Sequence, residues 1–362
     1  MLPAKGTTRF DSLNQKGAIA IGIAFAVALT ACLITSLEKT PPEPTITGPT
    51  FSDAQVLYKI VARVHGGQNY YDAAGIELRY YGYPTRSIFN WRQPFYAWFL
   101  GALPNATTGR VILGALTSIA IVWGTWLAYR RADDLAAVLC FWLMFGACWP
   151  CFLQDGPTNL ENSTGVLIVL SFFSYADEQI ALAVACAILA LIIRELAAPY
   201  VLVCVALALT ARRWRELIGW AVGLLLYAAY FAYHALHALA AMRPDDLRAK
   251  SWIQFGGLHF ILGTASQHSL LYNLPLWVTA IYLPLAVLGV AAIPGRLGQR
   301  AIFTIVAYLM LFSSVGKSFN EYWGYVDGPL LAFGLAWTPL AFYRLALAFR
   351  SPSGQPTPIA TP

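Results

Sequence analysis

The chain reads as an all-α polytopic membrane protein, and three observations lead to that fold class. Of its 362 residues 58% are hydrophobic and 12% charged, with a mean hydropathy of +0.57, too apolar for a water-soluble globule. Apolar stretches recur along it, several near the ~20 residues that a helix needs to cross a bilayer. Arginine and lysine gather in alternate connections between those stretches, the asymmetry that orients membrane helices.

The apolar stretches are residues 17–37, 111–129, 135–152, 165–175, 180–193, 198–210, 217–239, 274–293, 301–315 and 329–347. They predict about ten transmembrane helices within one domain, 1–350. The pair flanking Asp177 and Glu178 is short for a hydrocarbon core of ~30 Å, so those two are expected to be tilted, kinked or partly interfacial. Lys5, Arg9 and Lys16 precede the first stretch, and Arg130-Arg131, Arg212-Arg213 with Arg215, Arg296 with Arg300, and Arg344 with Arg350 share its side. That side is the cytoplasm, with both termini inside and segments 38–110, 154–163, 240–273 and 316–328 facing out. Leu29-Thr30-Ala31-Cys32 has the look of a lipoprotein cleavage box, but the apolar run continues to Leu37 and suits an uncleaved anchor. The net charge of +6 includes no basic run of the kind that binds nucleic acid. Residues 351–362, rich in proline and polar side chains, read as a disordered cytoplasmic tail.

The first outer segment is the most informative. Pro41, Pro42 and Pro44 predict an extended exit from the first span. Ser52 and Gln55 then have capping-box spacing, which puts Asp53 in the first turn of a helix, where the dipole favours a charged carboxylate. The helix is predicted to end near Gly66-Gly67. Val56, Leu57, Ile60, Val61 and Val64 fall on one face, and Gln55, Lys59 and Arg63 on the other, as in an amphipathic helix lying on a membrane with Lys59 and Arg63 at lipid phosphates. The segment beyond is aromatic and polar: Tyr70-Tyr71-Asp72, Tyr80-Tyr81-Gly82-Tyr83, then Phe89-Asn90-Trp91-Arg92-Gln93-Pro94. Rings beside polar groups suit the faces and hydroxyls of a sugar; an interfacial aromatic belt is the plainer reading. Residues 95–103 are too few to span and predict a re-entrant or surface helix.

Ser52-Asp53 with Tyr58, shortly after the first span and followed by Gly66-Gly67-Gln68-Asn69-Tyr70-Tyr71-Asp72, resembles the GT-C membrane glycosyltransferases. Among them it is most similar to bacterial mannosyltransferases that use polyprenyl-phosphate-mannose. Trp91-Arg92-Gln93-Pro94 departs from the Tyr-Pro-Pro usual in that family. The resemblance implies a catalytic Asp53 in an outer loop, at the periplasmic face of a bacterial inner membrane. It also implies a sugar donor on polyprenyl phosphate and inversion at the anomeric carbon. The acceptor would be lipid-linked or a glycan, and no cofactor is expected.

Such a transfer needs a base for the acceptor hydroxyl and cations for the departing phosphate. Asp53 is the candidate base. Arg194, in the Arg194-Glu195 pair between two apolar stretches, is the first candidate for the phosphate, because a planar guanidinium fork matches phosphate oxygens and charges against a span are functional by default. A mutually satisfied structural pair is the alternative. Arg92 is the second candidate. Tyr58, Tyr71, Asn90, Trp91, Glu195, His268, Glu321 and Tyr322 are candidate sugar or acceptor contacts, while Asp155, Asn159 and Glu161 form a polar outer loop that is equally ordinary. His234 and His237 lack a third ligand nearby, so no metal site is expected.

Two other classes compete. Cys148-Trp149-Pro150-Cys151 near the end of a span resembles a quinone-linked disulfide oxidoreductase, but Cys32, Cys140, Cys186 and Cys204 offer no second pair in an outer loop. A lipid or polysaccharide transporter or flippase would show inverted repeats or mid-membrane charges, and the chain has neither.

Overall fold

The computed structural model describes residues 5–38, 52–268 and 270–350. Among them every regular element is helical, and a single isolated bridge joins Ile253 to Val315. The helices are α1 (Gln15–Leu37), α2 (Asp53–His65), α3 (Tyr70–Tyr80), α4 (Pro94–Ala102), α5 (Ala106–Arg131), α6 (Asp134–Cys148), α7 (Leu160–Ala176), α8 (Ile180–Ile193) and α9 (Ala198–Thr210). They continue as α10 (Trp214–Ala241), α11 (Gly257–Ala265), α12 (Leu276–Ala292), α13 (Gly295–Ser314), α14 (Gly328–Leu335) and α15 (Thr338–Arg350). The proline-rich exit and the tail 351–362 lie outside the described residues.

Each of the ten apolar stretches is helical, but fewer are long enough to cross a membrane. Five pass by length and composition: α1, α5, α6 extended by 3-10 turns to Phe152, α10 and α13. A sixth is counted if α14 and α15, bent by 48°, form one span. The run α8, the run Glu195–Thr210 and α12 are apolar but shorter. One cause is local: Arg194 takes extended backbone angles and breaks the ladder between α8 and α9.

α7 is the mast of the bundle. All its residues are buried, and α5, α8, α13 and α14 pack around it, as expected of a helix that is apolar on every side. α1 lies outside against α12 and α15 and turns Ile23, Val27 and Ile34 outward. Leu225 and Leu236 of α10 and Met310 of α13 are also exposed, so an apolar girdle surrounds the bundle as a lipid solvent requires.

The basic residues that the sequence puts on one side do meet at one end of the bundle. Lys5 pairs with Asp134 at 3.4 Å, Arg344 with Asp11 at 3.3 Å and Arg130 with Asp177 at 3.7 Å. Arg213 and Arg300 lie 3.1 Å and 3.6 Å from the buried Glu216, which also accepts a 2.7 Å bond from the Tyr175 hydroxyl. The opposite end is built from α2, α3, α4, the α8–α9 junction and the loops around α11.

The helix predicted to lie on a membrane instead packs into this end. Its apolar face, Val56, Leu57 and Ile60, is buried, and it sits against α3 and α4. Gly101 of α4 allows the approach, because a Cβ there would come within 2.8 Å of the Val64 side chain. Arg63 bonds Glu77 of α3, and the His65 ring lies 2.9 Å from the Gly101 carbonyl, so both side chains serve the fold. α4 has nine residues and does not span, as expected.

Candidate functional site

Asp53 opens α2 as the sequence predicts. The Ser52 hydroxyl accepts the Gln55 amide and the Gln55 side chain accepts the Ser52 amide, both at 3.2 Å, which fixes the first turn. The carboxylate points into a group of donors. Arg92 Nη2 lies 2.6 Å from Oδ2, the Tyr322 hydroxyl donates to the same oxygen at 2.5 Å, and the Tyr83 hydroxyl donates to Oδ1.

Each donor is aimed by its own surroundings. Arg92 has φ +56°, an uncommon backbone state for a residue with a side chain, worth about 1–3 kcal/mol of strain. Its flanks explain how that state is held. Trp91 is wholly buried with its indole N–H on the Thr85 carbonyl at 2.8 Å, the Tyr70 hydroxyl donates to the carbonyls of Trp91 and Arg92, and Pro94 starts α4. Tyr322 lies in a 3-10 segment, Ser318–Tyr325, pressed onto the core by two glycines. A Cβ on Gly165 of α7 would strike the Tyr325 carbonyl, and one on Gly324 would strike the Thr264 carbonyl.

A second charge group adjoins the first. Arg194, almost fully buried, bonds Glu161 at 2.7 Å through Nε and Glu195 at 2.6 Å through Nη1, and its guanidinium lies 6.0 Å from the Trp323 ring. Gln93, whose amide N–H₂ donates to the Leu191 carbonyl at 3.2 Å, ties the start of α4 to the end of α8.

The electrostatics join the two groups. Burial alone would raise the Asp53 carboxyl, but Arg92, the two tyrosine bonds and Arg194 outweigh it and hold the group below its ordinary 3.8. Glu195 is likewise kept low against burial by Arg194 and Arg92. Burial and then the Asp53 charge push both phenols up, so Tyr83 and Tyr322 remain protonated donors. Burial opposes the charge on Arg92, and Asp53 more than restores it. The site is an ionised carboxylate between hydrogen-bond donors, backed by two permanent cations.

Of the residues singled out from sequence, Asp53, Arg92, Arg194, Glu195 and Tyr322 meet here. The others do not. Tyr58 is exposed on α2. Tyr71 faces α10, stacked on His237 with ring centres 5.2 Å apart and its hydroxyl 3.3 Å from His234 Nδ1. Asn90 closes a turn by donating to the Pro84 carbonyl at 2.8 Å, and Trp91 is a core residue. His268 is buried with Nε2 3.1 Å from the Leu143 carbonyl, beside Tyr282. Glu321 packs against Gly263 of α11. In the sequence Tyr83 and Gln93 stand out only as members of the aromatic and polar segment, and Glu161 only as loop polarity; thirty or more residues separate each of Tyr83 and Glu161 from its partner, and no short motif spans that distance.

Cys148 and Cys151 are buried thiols. Among the described residues no three histidine, cysteine, aspartate or glutamate side chains gather as metal ligands do. No protein-family model, curated protein or solved structure matches this chain.

Proposed function

We propose that the chain is a membrane glycosyltransferase that moves a sugar from a polyprenyl phosphate to an acceptor hydroxyl, with Asp53 as base. The observation behind this reading is the ionised Asp53 carboxylate within 2.6 Å of Arg92 and in the field of Arg194. In the transfer the acceptor oxygen bonds the anomeric carbon on the face opposite the phosphate, and the C–O bond to phosphate breaks. The hydroxyl proton passes to Asp53, and polyprenyl phosphate leaves with the bonding electron pair. Inversion follows from that single displacement.

The arginine roles differ from the sequence expectation. Arg194 is held by two carboxylates and is nearly inaccessible, whereas the Arg92 side chain is 15% exposed and, among the described residues, has Asp53 alone within salt-bridge distance. Arg92 is therefore the phosphate ligand in this reading, and Arg194 supports the local field. An arriving phosphate would draw Arg92 from Asp53, which leaves burial to raise the carboxyl and makes it a better base as the donor binds. Ten membrane segments and an outward-facing site, with the basic end in the cytoplasm, belong to the same proposal.

The purified protein in lipid nanodiscs, offered polyprenyl-phosphate hexoses and pentoses, should release polyprenyl phosphate. Asp53→Asn should bind the donor without releasing it. Release undiminished in that variant would exclude Asp53 as the base.

A further inference from the structure

A cleft of about 680 Å³ opens between the segment after Tyr83 and the loop after α10. Arg86, Phe89, Arg248, Lys250 and Trp252 give it its chemistry. Arg86, Arg248 and Lys250 are all exposed, and among the described residues none of them has a carboxylate within salt-bridge distance. Of the two acidic residues in the loop, Asp246 takes two bonds from Arg79, at 2.7 and 3.0 Å, which draws its carboxyl down to about 2, and Asp245 is exposed. Lys317 adds a fourth cation at the edge, its ammonium 5.0 Å from the Trp252 ring. Burial and then the neighbouring Lys250 hold the Lys317 amine below its ordinary value.

The cleft is built and joined to the site. The Arg86 amide bonds the Leu247 carbonyl at 3.0 Å, and Arg79 also grips the Ala241 carbonyl at 2.8 Å, so the loop after α10 is pinned to α3. On the far wall, the Gly316 amide bonds the Trp252 carbonyl at 3.0 Å and Ile253 bridges Val315, immediately before the segment that presents Tyr322. Tyr83 and Arg86 are three residues apart on one wall. On the other, the Trp323 ring lies 6.0 Å from Trp252 and 6.0 Å from the Arg194 guanidinium, so this wall packs against the elements that hold the partners of Asp53.

We infer that this cleft binds the acceptor, and that the acceptor carries a phosphate group next to its sugar. Guanidinium and ammonium groups in a shared, partly enclosed space neutralise phosphate oxygens, and the Trp252 and Phe89 rings supply flat apolar surface for a sugar face. The same phosphate chemistry belongs to a lipid headgroup and to a soluble sugar phosphate. The inference rests on the transferase reading, and its test does not.

Inorganic pyrophosphate is titrated into the full-length protein in phosphatidylcholine nanodiscs, and binding is read by calorimetry at low salt. Wild-type protein should bind, and Arg248→Glu with Lys250→Glu should weaken binding at least tenfold. Arg248→Lys with Lys250→Arg should preserve it, which excludes misfolding as the cause. Binding that Arg92→Gln removes belongs to the position beside Asp53; binding that survives Arg92→Gln and is weakened in the double glutamate variant belongs to the cleft. In nanodiscs containing phosphatidylglycerol, displacement of pyrophosphate from wild-type protein identifies a lipid headgroup as the occupant, and undiminished binding identifies a soluble phosphate. Pyrophosphate binding that is absent, or equally strong in the double glutamate variant, overturns the inference, whether or not Asp53→Asn abolishes transfer.

Discussion

The bundle holds a buried charge cluster at each end, and their chemistry is nearly the same. At the basic end Glu216 meets Tyr175, Arg213 and Arg300; at the other, Asp53 meets Tyr83, Tyr322 and Arg92. Each is a carboxylate with tyrosine and arginine donors. They differ in access. The Glu216 carboxylate is 2% exposed and its partner Arg300 6%, with the 35% exposed Arg213 between them and an apolar cleft, whereas the Asp53 carboxylate itself is 31% exposed and Arg92 15%. Backbone state does not separate them, since Arg92 at φ +56° has a counterpart in Arg212 at φ +52° beside Arg213. A carboxylate closed in among its donors ties helices together, here α7, α10 and α13; one that solvent reaches is where proteins keep reactive groups. Composition alone does not separate the two.

The largest expected contrast comes from neutralising each carboxylate. Asp53→Asn should lower release of polyprenyl phosphate by about 10²–10⁴-fold, the usual contribution of a general base, with little change in thermal unfolding. Glu216→Gln should do the reverse. It leaves Arg300 buried without its carboxylate, at a cost of about 3–5 kcal/mol, so the unfolding midpoint in detergent falls while release per folded molecule stays near wild type. If Glu216→Gln abolished turnover at an unchanged midpoint, the contrast between the two ends would collapse.

Arg92→Gln tests the open cluster through pH. In the wild type Asp53 sits below its ordinary 3.8, so its ionised form, and the stability that form contributes, is complete above that value and is lost only as pH falls through the lower folded one. At limiting donor, where the rate reports the unliganded enzyme, activity should therefore lose nothing to Asp53 protonation between pH 7 and 5. Without Arg92 the opposing influence of burial prevails and the carboxyl rises. The acid limb of the release rate should then move up by about one pH unit or more. An acid limb in the same place as wild type would mean that Arg92 does not govern Asp53.

The two ends were not equally legible in the sequence. Runs of apolar residues announce helices at every stretch, because burial and lipid contact both demand them, yet α8, the run Glu195–Thr210 and α12 are short for a span and α14–α15 is bent. Asp53 was visible because Ser52 and Gln55 form a local cap, and Arg194-Glu195 because charge stood out between apolar stretches. Tyr322 was visible only as polarity in an outer loop. Tyr83 was hidden among many tyrosines, since what selects it is a contact across thirty residues. The amphipathic face of α2 was read correctly but assigned to lipid; periodicity states which face is buried and not what buries it.

The smallest expected effect is the most specific. Tyr322→Phe removes one hydroxyl from Asp53 Oδ2 and keeps the ring, so the 3-10 segment and its packing on α7 are preserved. A bond of this kind to a charged group contributes about 1.5–3 kcal/mol, but Arg92 and Tyr83 still satisfy the carboxylate, so the net loss should lie nearer 1 kcal/mol. That corresponds to about a fivefold fall in release, with the acid limb displaced upward less than in Arg92→Gln. Tyr175→Phe is its counterpart at the closed end, removing the hydroxyl that donates to Glu216. There the same loss should be read in the unfolding midpoint and not in the rate. The pair thus asks whether one hydroxyl, placed on one carboxylate, does different work according to whether a substrate can reach it.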